Sequence, residues 1–274
     1  MEQEKYLGIL LTKNNTELYI IKYIGEGATS FVYLAQDKSK KEYALKLYKN
    51  YESYFNEINK IRKIFPSKFI VKLISSGQGF LERGYSYFSY KLFNNFQTGP
   101  VEYGLFEYLK NGELQNYVFL IKKKFSEEIA KKIFYEILQA LEICHLSGMS
   151  HGDIKLQNIL LNYDTNEDKK NKNLMKATIK IIDFGFAAII DKAGLKYSTL
   201  GSPLYMDPLI LKEVQKRGKK TNKLGYDQKA DIWSLGTICY EMAIGQCAFD
   251  ADKIDELIQK IEKGEYMIPT TLSQ

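Results

Sequence analysis

An α+β fold, as one large domain or two parts, is the class this chain predicts, with strand-like runs crowded into its earlier part and helical periodicity dominating the rest. Three observations carry that reading. Strand-like runs recur at Leu18–Ile24, Phe31–Leu34, Glu42–Tyr48 and Phe69–Ile74, and again from Tyr103. Helical periodicity takes over at Leu114, with a stripe from Ser126 to Leu146 and a stretch from Ala230 to Ile244 that is apolar nearly all round. Two polar clusters, His151–Asn158 and Asp183–Gly185, are set apart by the short β-runs Ile159–Leu161 and Ile179–Ile182.

Bulk properties narrow the function classes. A hydrophobic fraction of 45% over 274 residues supports a sizeable core. The net charge of +6 comes from lysines scattered among glutamates, which reads as a solvated surface and disfavours a nucleic-acid partner. Cys144, Cys239 and Cys247 have no metal-ligand spacing, and an odd count argues against a disulfide framework. No basic segment leads into an apolar one at the N-terminus, and no apolar run reaches the length of a membrane span. A reducing, cytoplasmic setting is expected.

The polar clusters carry the chemistry. A hairpin made of the two β-runs would bring the loop before the first beside the loop after the second, gathering Asp153, Asn158 and Asp183 around one point. Asp and Asn oxygens are hard ligands suited to Mg²⁺, which usually arrives with substrate phosphates. A remaining carboxylate there could take a proton from an attacking hydroxyl.

The order H-x-D-x-K-x-x-N followed by D-F-G resembles the eukaryotic protein kinase family, serine/threonine type. The resemblance implies a two-lobed fold: a small β-rich lobe with one helix over 1–109, and a larger, mainly helical lobe over 110–274. It implies ATP and Mg²⁺ as cofactors and a protein substrate. Asp153 becomes the catalytic base, Lys155 steadies the transferred phosphate, and Asn158 and Asp183 hold the metal.

Taken in order, Ile24 ends the first strand, and Gly25-Glu26-Gly27-Ala28-Thr29-Ser30 turns into the second at Phe31 and Val32. Glycines let backbone amides approach phosphates closely. A dinucleotide-binding reading would need a helix after them, whereas Phe31–Leu34 continues as a strand. In Glu42–Tyr48, alternation puts Ala44 and Lys46 on one face and Tyr43, Leu45 and Leu47 on the other. By resemblance Ala44 covers the adenine and Lys46 reaches the phosphates. Tyr54, Ile58, Ile61 and Phe65 recur at helical spacing, and Glu57 on that helix is the expected partner of Lys46.

Residues 78–99 depart from the family's tight hairpin as an aromatic-rich insertion. Beyond it the resemblance makes Phe106 the guard of the adenine pocket, Glu107 and Leu109 the backbone contacts to adenine, Glu113 a ribose ligand, and Leu160 part of the pocket floor. Ser126, with Glu127 and Glu128 behind it, suits a helix N-terminus. Residues 164–173 read as a charged surface loop, and residues 212–223 as a basic insertion. By the same resemblance Ser202, in the Gly201-Ser202-Pro203 run, would shape the substrate site beside Asp153 and Lys155, and Asp231 would anchor the catalytic loop's backbone.

Four departures accompany the likeness. Ser30 stands for the third glycine, Gly152 for the arginine before Asp153, and Asp207 and Leu209 for the outer residues of A-P-E. The sequence also stops at Gln274, short of the family's last helices. The apolar flank of the Asp231 helix would then need another chain to cover it, unless the polypeptide is a fragment or the lobe is marginally stable. Two rival readings follow: a pseudokinase serving as a nucleotide-binding or scaffold module, and a small-molecule kinase of related fold.

Overall fold

A computed structural model describes residues 6–83, 98–121, 125–189, 203–216 and 228–268. The chain divides into two compact units, Met1–Arg62 with Val71–Leu109, and Lys63–Ile70 with Lys110–Gln274. Residues 63–70 thus associate with the second unit rather than with the strands around them.

The first unit contains β1 (Gly8–Thr12), β2 (Glu17–Glu26), β3 (Ser30–Gln36), β4 (Glu42–Tyr48), α1 (Tyr51–Ile61), β5 (Leu73–Arg83) and β6 (Gly99–Glu107). The strands close into a barrel in the order β1-β2-β3-β4-β6-β5, every neighbouring pair antiparallel. Closure depends on β1, which pairs with β2 on one side and, from Gly8↔Arg83 to Thr12↔Gly79, with β5 on the other. The strand-like runs expected from the sequence begin only at Leu18. The residues of β1 form a strand because Leu10 faces the barrel interior, where Leu18, Ile20, Tyr33, Leu45, Leu47 and Leu81 are also buried.

Two stretches differ from expectation. The run Phe69–Ile74 is not one strand: β5 begins at Leu73. Phe69 and Ile70 instead meet Ile181, whose N–H donates to the Phe69 carbonyl at 2.8 Å. A short buried apolar run fits either setting, and long-range pairing decides. The strands also run further than the expected insertion allows, since Gln78–Leu81 pair with Gly99–Glu102. The remaining insertion residues, 84–97, lie outside the described ones.

The second unit contains α2 (Leu114–Ile121), α3 (Glu127–Leu146), β7 (Met149–Ser150), β8 (Ile159–Tyr163), α4 (Asn166–Lys170), β9 (Ala177–Ile181), β10 (Ala188–Ile189), α5 (Pro208–Lys216), α6 (Lys229–Ile244) and α7 (Ile254–Lys263). Ser126 caps α3, its Oγ accepting the Ile129 N–H at 3.4 Å. The buried stripe of α3 is Ala130, Ile133, Ile137, Ala140, Leu141 and Cys144, and Leu138 faces outward. The β8–β9 hairpin forms as expected, from Ile159↔Ile181 to Tyr163↔Ala177. The charged stretch between its strands is not all loop. Thr165 caps α4, with the Asp168 N–H donating to Thr165 Oγ1 at 3.1 Å. Likewise α5 takes in Lys212–Lys216, where an insertion was expected.

A core of Met206, Leu211, Phe249, Leu257, Ile258 and Ile261 joins α5 to α7. Trp233 of α6 stacks on Phe249 at 6.1 Å between centroids. Among the described residues no helix is long and apolar enough to cross a membrane.

Candidate active site

In the first unit, strand register gathers one set of candidates. Gly25 pairs with Val32, Val32 with Lys46, and Lys46 with Gly104, forming a row across β2, β3, β4 and β6. The next row joins Leu34, Ala44 and Phe106. Cross-strand partners project to one face, so Val32, Ala44 and Lys46 share the outer surface while Tyr43, Leu45 and Leu47 fill the barrel. Ile24 sits at a bulge in β2 and is half exposed, next to Gly25 and Gly27 of the turn.

Lys46 Nζ lies 2.7 Å from Glu57 Oε1, joining β4 to α1. Asn50 caps this helix by accepting the Ser53 N–H at 2.9 Å, which fixes where its turns begin and hence that Glu57, not Glu52, faces the strand. At the end of β6, Phe106 is buried. The Glu107 N–H donates to the Lys72 carbonyl at 3.0 Å, and its carboxylate accepts the Lys72 N–H at 2.8 Å. The Glu107 amide hydrogen is therefore already used within the first unit. Leu109, two residues on, is buried.

In the second unit, one loop holds three candidates together. Lys155 Nζ is 2.7 Å from Asp153 Oδ2. Asn158 Nδ2 donates to the Asp153 carbonyl at 2.7 Å and to its Oδ2 at 3.0 Å. With its amide nitrogen so engaged, Asn158 keeps Oδ1 as its acceptor. The Ile182 N–H donates to the Asn158 carbonyl at 2.9 Å, bringing Asp183 to within one residue of that contact. Asp183 has φ of +63°, an uncommon value for a residue with a Cβ, and its Oδ1 accepts the Gly185 N–H at 3.3 Å.

His151 ties the two loops. The Asp153 N–H donates to its Nδ1 at 3.3 Å, so Nε2 carries the proton and donates to the Ile182 carbonyl at 3.1 Å. Burial holds the imidazole below its usual pKa, against the pull of Asp231 and Asp153. The ring meets Phe184 edge-on at 5.0 Å.

Asp231, almost fully buried on α6, accepts the His151 and Gly152 N–H groups at 2.8 Å each and contacts His145 Nε2 at 2.8 Å. The link to the loop backbone is the one expected from resemblance. The contribution of His145 carried no sequence signal, because it lies far from Asp231 in the chain. Gly152 has φ of +78°, a conformation costly for other residues, so the glycine suits the bend that Asp231 grips.

Glu113 and Leu160 come together through an isolated antiparallel bridge, and the Leu161 N–H donates to the Gly112 carbonyl at 3.1 Å. Burial raises the Glu113 carboxyl above its usual value, with Lys155 opposing. Ser202 lies outside the described residues.

The donor set fits a hard divalent cation. Asn158 Oδ1 and the Asp183 carboxylate are both oxygen ligands of the kind Mg²⁺ prefers, and a fixed amide orientation presents one of them.

Comparison with known proteins identifies the family. The model of the protein kinase domain family matches residues 18–273. CBL-interacting protein kinase 26 of Oryza sativa subsp. japonica is 34% identical over 175 residues, covering 62% of this chain and 31% of that protein. CBL-interacting serine/threonine-protein kinase 20 of Arabidopsis thaliana is 37% identical over 171 residues, covering 61% of this chain and 34% of that protein. CBL-interacting serine/threonine-protein kinase 2 of Arabidopsis thaliana is 34% identical over 172 residues, covering 61% and 32%. The alignments thus span about a third of the length of these relatives. With the family match running nearly from end to end, the chain belongs to the protein kinase domain family.

Proposed function

We propose that this chain transfers the γ-phosphoryl group of ATP to serine or threonine hydroxyls of protein substrates. The observation that carries the reading is the Asp153 carboxylate held between Lys155 Nζ at 2.7 Å and Asn158 Nδ2 at 3.0 Å. Such an arrangement fixes a base and supplies a cation beside it. The names of the relatives, which include serine/threonine-protein kinases, support the hydroxyl class.

In this reading Asp153 accepts the substrate hydroxyl's proton as its oxygen attacks the γ-phosphorus, and the bond to the bridging oxygen of ADP breaks. Lys155 offsets negative charge on the transferred group. Asn158 and Asp183 would hold Mg²⁺, which when bound would supply positive charge to offset that of the phosphates. Lys46, held by Glu57, contacts the nucleotide phosphates, and Gly25 and Gly27, lacking a Cβ, let the backbone of the turn approach them closely. Ile24, Val32, Ala44, Phe106 and Leu160 line the adenine, the backbones of Glu107 and Leu109 hydrogen-bond its edge, and Glu113 takes the ribose hydroxyls. Ser202 steers the substrate hydroxyl toward Asp153.

Gly152 removes the guanidinium that would read a phosphate on the activation segment. Activity independent of such a phosphate follows. Three free cysteines suit the reducing cytoplasm as the working compartment.

The test is transfer of labelled phosphate from ATP to a generic basic protein, comparing wild type with Asp153→Asn. Loss of about 100-fold or more in the variant is expected for removal of a catalytic base. Equal signals from the two proteins would overturn the assignment in favour of a scaffold.

A further inference from the structure

Lys49, immediately after β4, contacts the glycine-rich turn at several points. Its Nζ lies 2.5 Å from Glu26 Oε1, near the start of the turn. The same ammonium donates to the Gly27 carbonyl at 3.1 Å, within the turn. It also sits 4.7 Å from the Phe31 ring centroid, on the strand that follows. The Lys49 N–H donates to the Thr29 carbonyl at 2.9 Å, and the turn is closed on itself by the Gly27 N–H donating to the Ser30 carbonyl at 2.9 Å. One residue therefore meets Glu26, Gly27, Thr29 and Phe31.

We infer that Lys49 is a positioning residue for nucleotide binding, holding the Gly25–Ser30 turn in the single conformation that a bound nucleotide meets. A turn with two glycines and small residues has many accessible backbone states, and ordering it costs conformational entropy whenever a ligand needs one of them. A clamp that orders the turn beforehand removes that cost from binding. The Lys49 and Glu26 side chains are about 32% and 46% exposed, so the ion pair adds little to global stability. Its effect falls on the local geometry of the turn. The inference rests on the ATP reading above.

Steady-state kinetics with ATP, direct titration with a fluorescent ATP analogue and thermal melting test it on Lys49→Met, Lys49→Arg and Glu26→Gln. The methionine keeps a long apolar stem over Phe31 and deletes the ammonium. Lys49→Met is expected to raise KM for ATP and the analogue's Kd by roughly three- to tenfold, the scale of an exposed ion pair plus a cation–π contact. The turnover number should stay within about twofold and the melting temperature should be unchanged, because the pair is exposed. Lys49→Arg should recover most of the loss, Glu26→Gln should move KM the same way, and the gap should narrow in high salt as the pair is screened. If wild type binds the analogue and Lys49→Met binds it equally well, or if kcat alone falls, the clamp is overturned while the kinase reading survives. If wild type itself binds no nucleotide, both fall together.

Discussion

The Lys46 ammonium and the Glu57 carboxylate meet at 2.7 Å with their side chains only 11% and 2% exposed. Such a pair is held less by its own attraction than by what each charge would lose without the other. Lys46→Met should therefore lower stability by about 3–5 kcal/mol, the usual result of removing one member of a buried pair. Phosphate transfer should fall by about 100-fold, as with loss of a charged transition-state contact. Adding Glu57→Gln should restore much of the melting temperature and none of the transfer. Calorimetry and the transfer assay separate the two effects.

A second buried carboxylate predicts a pH dependence. Glu241 of α6 accepts a hydrogen bond from the Tyr205 hydroxyl at 2.7 Å. Burial raises its carboxyl above the usual 4.5, against the lowering effect of Tyr205 and Cys247. Between the unfolded value and that raised value the folded protein holds a proton the unfolded chain has released. Stability is thus lost as pH rises through this window, and above it the ionised group is carried buried. Glu241→Gln keeps an acceptor for Tyr205 and removes the charge. It should be more stable than wild type at pH 8, with the difference shrinking as pH falls toward 4.5. Urea melts across that range measure it, and a constant difference would contradict the account.

Barrel closure gives a third test. A Cβ on Gly79 would lie 2.9 Å from both Leu10 Cδ1 and the Leu11 carbonyl oxygen, and a backbone oxygen cannot swing aside. Gly79→Ala should cost about 1–3 kcal/mol, as overpacking does. The loss should be local to the seam between β1 and β5. Hydrogen exchange of residues 8–12 should speed up well before that of β4, and uniform acceleration would indicate general destabilisation instead.

Much of the candidate site's local structure was legible because its signals are local. Lys46 and Ala44 share a face by strand alternation, and Ser126 marks the start of α3 by side-chain chemistry alone. What escaped was set at long range. The five residues of β1 become a strand only because two distant edges accept them. Phe69–Val71, apolar enough for a strand, are buried without joining one: Ile181 recruits the first two. Lys49 looks like any lysine at a strand end, and only the fold of the turn places Glu26, Gly27 and Phe31 around it. The left-handed backbone of Asp183 is likewise invisible in a D-F-G string.

The first strand lies ahead of residue 18, where the family match begins. A recombinant domain trimmed to that boundary would keep β2 through β6 and lose the segment that seals them. Two unsatisfied ladders, one on β2 and one on β5, would then face solvent and invite pairing with a neighbouring molecule. Preparations begun at residue 18 should therefore self-associate through strand exchange, and supplying Gly8–Thr12 as a free peptide should suppress it by occupying the slot.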